Sequence, residues 1–123
     1  MTGRRSVLLI AVLVLSLAGP PAAAVTTPSG IDPRLRLEWD ASQSRDGRPM
    51  VTGYIYNDYG RPANNVRLVV ETLDGSGRVT DRAFGFVRGI VPGFNRSYWV
   101  VPVKTPGASY RVTVTSFEWR DGA

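Results

Sequence analysis

The chain has 123 residues, of which 43% are hydrophobic and 20% are charged, and its formal net charge is +5. It contains neither cysteine nor histidine, which excludes disulfides, Ser-His-Asp and Cys-His catalytic arrangements, and the usual ligand sets of zinc, copper and haem. We therefore expect no cofactor and no bound metal. Basic and acidic residues are interleaved along the chain, so we also expect no nucleic-acid interface.

Residues 1–24 have the pattern of a cleavable secretory signal peptide. Arg4 and Arg5 supply a positive start, residues 7–17 form an apolar run, and residues 22–24 are the small alanines that a signal peptidase accepts. The apolar run is shorter than the roughly 20 residues that span a bilayer. The pattern favours cleavage over the alternative of an uncleaved membrane anchor. It also favours the general secretory route over the alternative of twin-arginine export, because a bare arginine pair is a weak signal.

The chain that remains after cleavage is predicted to be periplasmic or secreted. Small secreted eukaryotic domains usually carry disulfides, so an exported chain without cysteine indicates a bacterial protein, and no stable membrane anchor is expected. Residues 25–33 are rich in proline, glycine and small polar residues, which predicts a flexible leader. Residues 34–120 are long enough for one domain but not for two separate cores.

From residue 34 onward hydrophobic residues alternate with polar ones, which is the period of strands with one buried face. Strands are predicted at residues 35–40, 50–57, 66–73, 79–87, 98–103 and 110–119. Turns rich in glycine, proline and asparagine separate them, and Asp74-Gly75-Ser76-Gly77 predicts a hairpin. No window has a helical period, so we predict an all-β fold, an antiparallel β-sandwich of six to seven strands.

The second predicted strand has two distinct faces. Gly53 shares the apolar face with Val51 and Ile55, whereas Tyr54 and Tyr56 lie on the other face. A glycine in the middle of a strand predicts the close approach of another backbone or of a large side chain.

Several short patterns follow one another in a characteristic order. They are Gly53-Tyr54-Ile55-Tyr56-Asn57, Ala63, Val66-Arg67-Leu68, Asp74 with Gly77, residues 90–93 and Trp99-Val100-Val101. In this order the chain resembles the FxLYD family over about residues 35–119. The resemblance implies an immunoglobulin-like β-sandwich that occurs in exported bacterial and archaeal proteins and has no assigned enzymatic activity. Residues 59–62 are bulkier than the small polar loop of the family, so the resemblance supports no function for this loop.

The best candidates for a binding surface are Tyr54, Tyr56, Asn57, Tyr59 and Arg61. Exposed tyrosines beside an arginine are typical of surfaces that bind proteins or sugars, because tyrosine offers apolar area at low entropic cost together with a polar tip. The alternative is that the tyrosines serve only strand propensity and cross-strand packing. Asn57 can also bond to nearby backbone and ease the turn after its strand.

The other aromatic residues considered are predicted to pack in the core or at a sheet edge, because large aromatic side chains are buried on average. They are Trp39, Phe84, Phe86, Trp99, Phe117 and Trp119. In the last strand Phe117 and Trp119 point away from the face of Tyr110, unless a β-bulge shifts the phase.

No set of polar side chains predicts catalysis. Glu38, Asp40, Glu71 and Glu118 alternate outward as solvated strand faces do, which is not the paired arrangement of a glycosidase. The sequence therefore favours an exported, non-enzymatic interaction or accessory module of the bacterial envelope that binds another envelope protein. The alternative is a small-ligand or carbohydrate-binding module that binds a glycan through the tyrosine and arginine patch.

Overall fold

A computed structural model describes residues 27–28 and 31–121. The strands are β1 (Thr27–Pro28), β2 (Leu35–Gln43), β3 (Pro49–Asn57), β4 (Ala63–Leu73), β5 (Val79–Phe86), β6 (Asn95–Pro102) and β7 (Ser109–Trp119). The described part of the chain contains no helix that could cross a membrane. The predicted signal peptide lies outside the described residues.

The strands form two antiparallel sheets, which confirms the predicted all-β sandwich. Sheet A has the order β1-β2-β3-β6, and sheet B has the order β5-β4-β7. β1 lies within the segment predicted to be a flexible leader, and its two residues pair with Leu37 and Arg36 of β2. Pro28 has no amide hydrogen, which an edge strand tolerates because one side of it is unpaired.

One apolar core lies between the sheets, because alternate residues of each strand point inward. Its buried members are Leu35, Leu37, Val51, Ile55, Ala63, Val66, Leu68, Val70, Val87, Val91, Trp99, Val101, Val103, Val112 and Val114. Trp39, Phe117 and Trp119 are partly buried against this core. The prediction that the tryptophans and Phe117 pack in the core or at its margin is therefore confirmed.

The phase of β7 changes along its length. The pairing with β4 is irregular between Asn64 and Leu68, where the register shifts twice. This irregularity returns Phe117 and Trp119 to the inner face, where both pack partly buried against the core. The structure therefore contains the β-bulge that the sequence analysis named as the condition for a change of phase in this strand.

Gly53 and the hairpin turn are as the sequence predicts. A Cβ added to Gly53 would overlap the carbonyl oxygen of Glu38 and would lie 2.8 Å from the Cα of Trp39. In the hairpin, Asp74 Oδ1 accepts hydrogen bonds from the amides of Ser76 and Arg78 at 2.9 Å. These bonds lower the pKa of Asp74 below its usual value.

The prediction for Phe84 and Phe86 was wrong. Both side chains point to solvent, and they are 74% and 64% exposed. The inner phase of β5 is occupied by smaller residues because β6 approaches closely there: a Cβ on Gly85 would lie 2.6 Å from Cγ2 of Val101. A phenylalanine in the inner phase would have no room, so the strand turns its phenylalanines outward.

Candidate functional site on the outer face of sheet A

The outer face of sheet A brings aromatic and charged side chains into two rows. The register of β2, β3 and β6 sets Arg36, Tyr56 and Arg96 side by side, and the neighbouring row contains Glu38, Tyr54 and Tyr98. Paired residues of antiparallel strands project from the same face, so all six side chains share one surface. We call these six residues the tyrosine face.

The three tyrosines contact one another edge to face. Tyr54 is the centre of the group, with ring centroids 6.3 Å from Tyr56 and 5.4 Å from Tyr98. Contacts of this geometry contribute about 0.5–1.5 kcal/mol beyond the area they bury. Tyr54 and Tyr56 are half-buried in the sheet surface, while Tyr98 is 54% exposed.

Arginines from the same chain cover the rings. The guanidinium carbon of Arg96 lies 4.0 Å from the centroid of Tyr54, and that of Arg36 lies 5.0 Å from the centroid of Tyr56. Cation–π pairs at exposed sites contribute about 0.5–1 kcal/mol. The N–H groups of a guanidinium over a ring can still bond to other groups, as those of Arg36 do to Asp58.

Polar contacts fix this surface further. The Tyr56 hydroxyl donates to Oε1 of Glu38. Arg36 holds Asp58 with two bonds, Nε to Oδ2 at 2.6 Å and Nη2 to Oδ1 at 3.0 Å. The bond from Arg36 lowers the pKa of Asp58, and a hydrogen bond to Tyr56 raises the pKa of Arg96. Both groups therefore stay charged at neutral pH.

Asn57 has an internal role. Its side chain points into the molecule and is only 1% exposed. Nδ2 donates to the carbonyls of Arg61 at 2.7 Å and Val91 at 3.3 Å, and Oδ1 accepts from the amide of Tyr59 at 2.9 Å. The predicted bonding of Asn57 to nearby backbone is therefore confirmed, and its buried side chain contributes no contact to a surface.

Tyr59 and Arg61 belong to a different group of contacts. The Tyr59 ring packs edge-on against Trp119, with centroids 4.8 Å apart, and Arg34 lies over it at 4.2 Å. Arg61 pairs with Asp121 at 2.8 Å. Of the five residues selected from the sequence, only Tyr54 and Tyr56 thus lie together on the tyrosine face.

Sequence reasoning missed Arg36, Arg96 and Tyr98 as members of this surface. The alternation in β6, where Trp99 and Val101 are buried, could have placed Tyr98 on the outer face. Which outer residue of β3 lies beside Tyr98 depends on the pairing of two strands distant in the sequence. Periodicity carries no information on that register.

The tyrosine face offers hydroxyls, guanidinium edges and one carboxylate on a nearly flat sheet. A shallow depression of about 310 Å³ lies at one end, lined by Arg36, Tyr56, Asp58, Phe94 and Arg96 among others. Within residues 31–121 no group of three acidic side chains could hold a metal ion.

Comparison with protein-family models, with curated proteins and with solved structures found no match to this chain.

Proposed function

We propose that the chain is a non-enzymatic interaction module of the bacterial envelope, exported by residues 1–24, and that its tyrosine face binds another envelope protein. The observation that carries this proposal is the stacking of Arg96 on Tyr54 and of Arg36 on Tyr56, at 4.0 and 5.0 Å. Tyrosine and arginine are the residues enriched in protein interfaces and their hot spots. Held by stacking and by ion pairs, they would lose little side-chain entropy on binding.

The stacking also favours a protein partner over a glycan. A sugar that packs on an aromatic residue needs a free ring face. Guanidinium groups lie over Tyr54, Tyr56 and Tyr59, at 4.0, 5.0 and 4.2 Å. A sugar on these rings would have to displace them, whereas the carbonyls and carboxylates of a protein can accept bonds from the arginine that covers Tyr54, Arg96.

The strand order supports the immunoglobulin-like arrangement that the resemblance to the FxLYD family implies. β2, β3 and β6 correspond in order to strands A, B and E of that fold, and β5, β4 and β7 correspond to C′, C and F. We propose membership of this family on that basis together with the sequence patterns of residues 35–119.

The test is photo-crosslinking in the envelope of the bacterium that produces the protein. Tyr56 is replaced by p-benzoylphenylalanine, and a matched control carries the same residue at Thr113, which lies on sheet B. We expect a discrete protein adduct from position 56 that is absent from position 113 and weakened by Tyr54→Ala. Retention on purified peptidoglycan sacculi that Tyr54→Ala abolishes, without a protein adduct, would instead show that the face binds a glycan.

A further inference from the structure

The second half of β5 is an uncovered sheet edge with an unusual surface. β5 pairs with β4 on one side only, and no described strand pairs with its other side. Along residues 82–88 exposed side chains alternate with buried or partly buried ones. The exposed ones are Arg82, Phe84, Phe86 and Arg88. Two phenylalanines are thus exposed between Arg82, which lies in the edge strand, and Arg88, which lies in the bend that follows it.

The apolar surface continues across the rim of the sandwich onto β6. A groove of about 410 Å³ is lined by Phe86 and Arg88 on one side and by Tyr98, Val100 and Pro102 on the other. Tyr98 and Val100 are 54% and 41% exposed. Contiguous apolar exposure of this kind, rimmed by charges, marks interaction sites on soluble proteins.

Only part of the β5 edge is protected against strand pairing. Edge strands are usually protected by bulges, prolines, lysines or charges that point inward. β5 has such protection at its start, where Asp81 lies on the inner phase and the register with β4 shifts near Thr72. After the charged Arg82, residues 83–87 contain none of these features, and the pairing with β4 is regular from Arg82 to Phe86. This stretch therefore presents free backbone groups to an added strand.

The flanking charges indicate what kind of strand fits. Arg82 contacts Glu71 at 3.0 Å, but Glu71 also pairs with Arg111 at 2.8 Å, so these three residues together carry an excess positive charge. Arg88 makes no ion pair within the described part of the chain. A strand opposite this edge would match it best with acidic residues on both sides of apolar ones.

A second copy of this chain fits poorly. Antiparallel pairing that sets Phe84 opposite Phe86 of a second copy also sets Arg82 opposite Arg88 at both ends. Like charges directly opposite one another destabilise a strand pair. The register that pairs Phe84 with Phe86 is therefore the one that the arginines oppose, which favours a different chain as the occupant.

We propose that residues 82–87 are a docking edge for an extended segment of a partner protein, which adds to sheet B as a fourth strand and carries acidic residues on both sides of alternating apolar ones. Main-chain hydrogen bonds to β5 would supply affinity, and the contacts with Phe84 and Phe86 would supply specificity. This inference rests on the proposed function, since it requires an interaction module, but it is centred on the β5 edge, whose groove shares only Tyr98 with the tyrosine face.

The test is an NMR titration of the ¹⁵N-labelled protein, purified after expression of the full chain. The probes are two capped synthetic peptides, Glu-Thr-Val-Thr-Val-Thr-Glu and Lys-Thr-Val-Thr-Val-Thr-Lys. We expect shift changes confined to β5 and the adjoining rim of β6, with the glutamate peptide binding about tenfold more tightly, because two cross-strand charge pairs change sign. Equal binding of both peptides, or shifts elsewhere, would overturn the proposal.

Two variants complete the test. The double variant Phe84→Ser, Phe86→Ser should lose the binding and keep its folded spectrum, because both side chains are exposed. Gln43→Ala, at an exposed position of β2 in the other sheet, should leave peptide binding unchanged. A concentration-dependent dimer that the double variant abolishes would assign the edge to a second copy and refute the inference. If neither peptide changed the NMR spectrum but position 56 still gave a protein crosslink, this inference would be refuted and the proposed function would stand.

Discussion

Replacing Gly53 by alanine should destabilise the domain severely, because the backbone of β2 occupies the space that a Cβ would need. The added atom would lie 2.7 Å from the carbonyl carbon of Glu38 and 2.8 Å from the Cα of Trp39, whereas ordinary contacts begin at 3.4 Å. No side chain can rotate away, since the obstructing atoms are all main chain. The two central strands of sheet A would have to separate.

The magnitude follows from what that separation breaks. Overpacking costs about 1–3 kcal/mol, and one or two lost strand hydrogen bonds add about 1 kcal/mol each. We therefore expect the free energy of unfolding of Gly53→Ala to fall by about 2–5 kcal/mol. With a urea m-value of about 2 kcal/mol/M, the unfolding midpoint should fall by roughly 1–2.5 M.

The assay is urea unfolding followed by tryptophan fluorescence, with Gly75→Ala as the matched control. A Cβ on Gly75 meets nothing within 4 Å, so the control should stay within about 0.5 kcal/mol of wild type. If Gly53→Ala lost less than about 1 kcal/mol, the close approach of β2 to β3 would not be the reason for the glycine.

Two further variants test the buried amide and the ion-pair network. Asn57→Ala should lower the free energy of unfolding in urea by about 2–4 kcal/mol, because three backbone groups lose a hydrogen-bond partner. The control Asn64→Ala should lower it by less than about 0.5 kcal/mol. Equal losses in the two variants would contradict the role given to Asn57. Hydrogen bonds from Arg111 and Arg82 lower the pKa of Glu71 in the folded state. The ionised Glu71 therefore stabilises the folded domain above pH 4.5, and this contribution is lost as the pH falls through the lowered pKa of the folded state. Glu71→Gln should therefore be less stable than wild type by about 1 kcal/mol at pH 7. This difference should shrink as the pH falls below 4.5 and Glu71 is protonated in the folded state, and a difference that stays constant on acidification would refute the ion-pair explanation.

Local patterns were enough to predict the strands and several of their residues. Alternation located each of the six long strands, and the roles of Gly53 and Asn57 followed from the chemistry of single residues. The predicted starts of β4 and β6 were late, at residues 66 and 98 instead of Ala63 and Asn95. In both cases polar residues open the strand and hide its beginning, although the backbone already pairs there.

What the sequence could not supply depends on packing between distant segments. Phe84 and Phe86 alternate with small residues, and either phase of β5 is compatible with that pattern alone. The choice is made by Val101, which fills the space above Gly85 and belongs to the other sheet. The same holds for Tyr98, whose place beside Tyr54 follows from the pairing of β3 with β6.

The strand order also determines when the domain can fold. Sheet A is completed by β6 and sheet B by β7, the last two strands of the chain. Sheet A can therefore close only after β6 has been made and sheet B only after β7 has been made, so the core is incomplete until residues 95–119 are present. Because pairing between distant strands is slow to form, the newly made chain stays without a closed core for a relatively long time. A chain cut short within β7 would expose the apolar inner faces of both sheets.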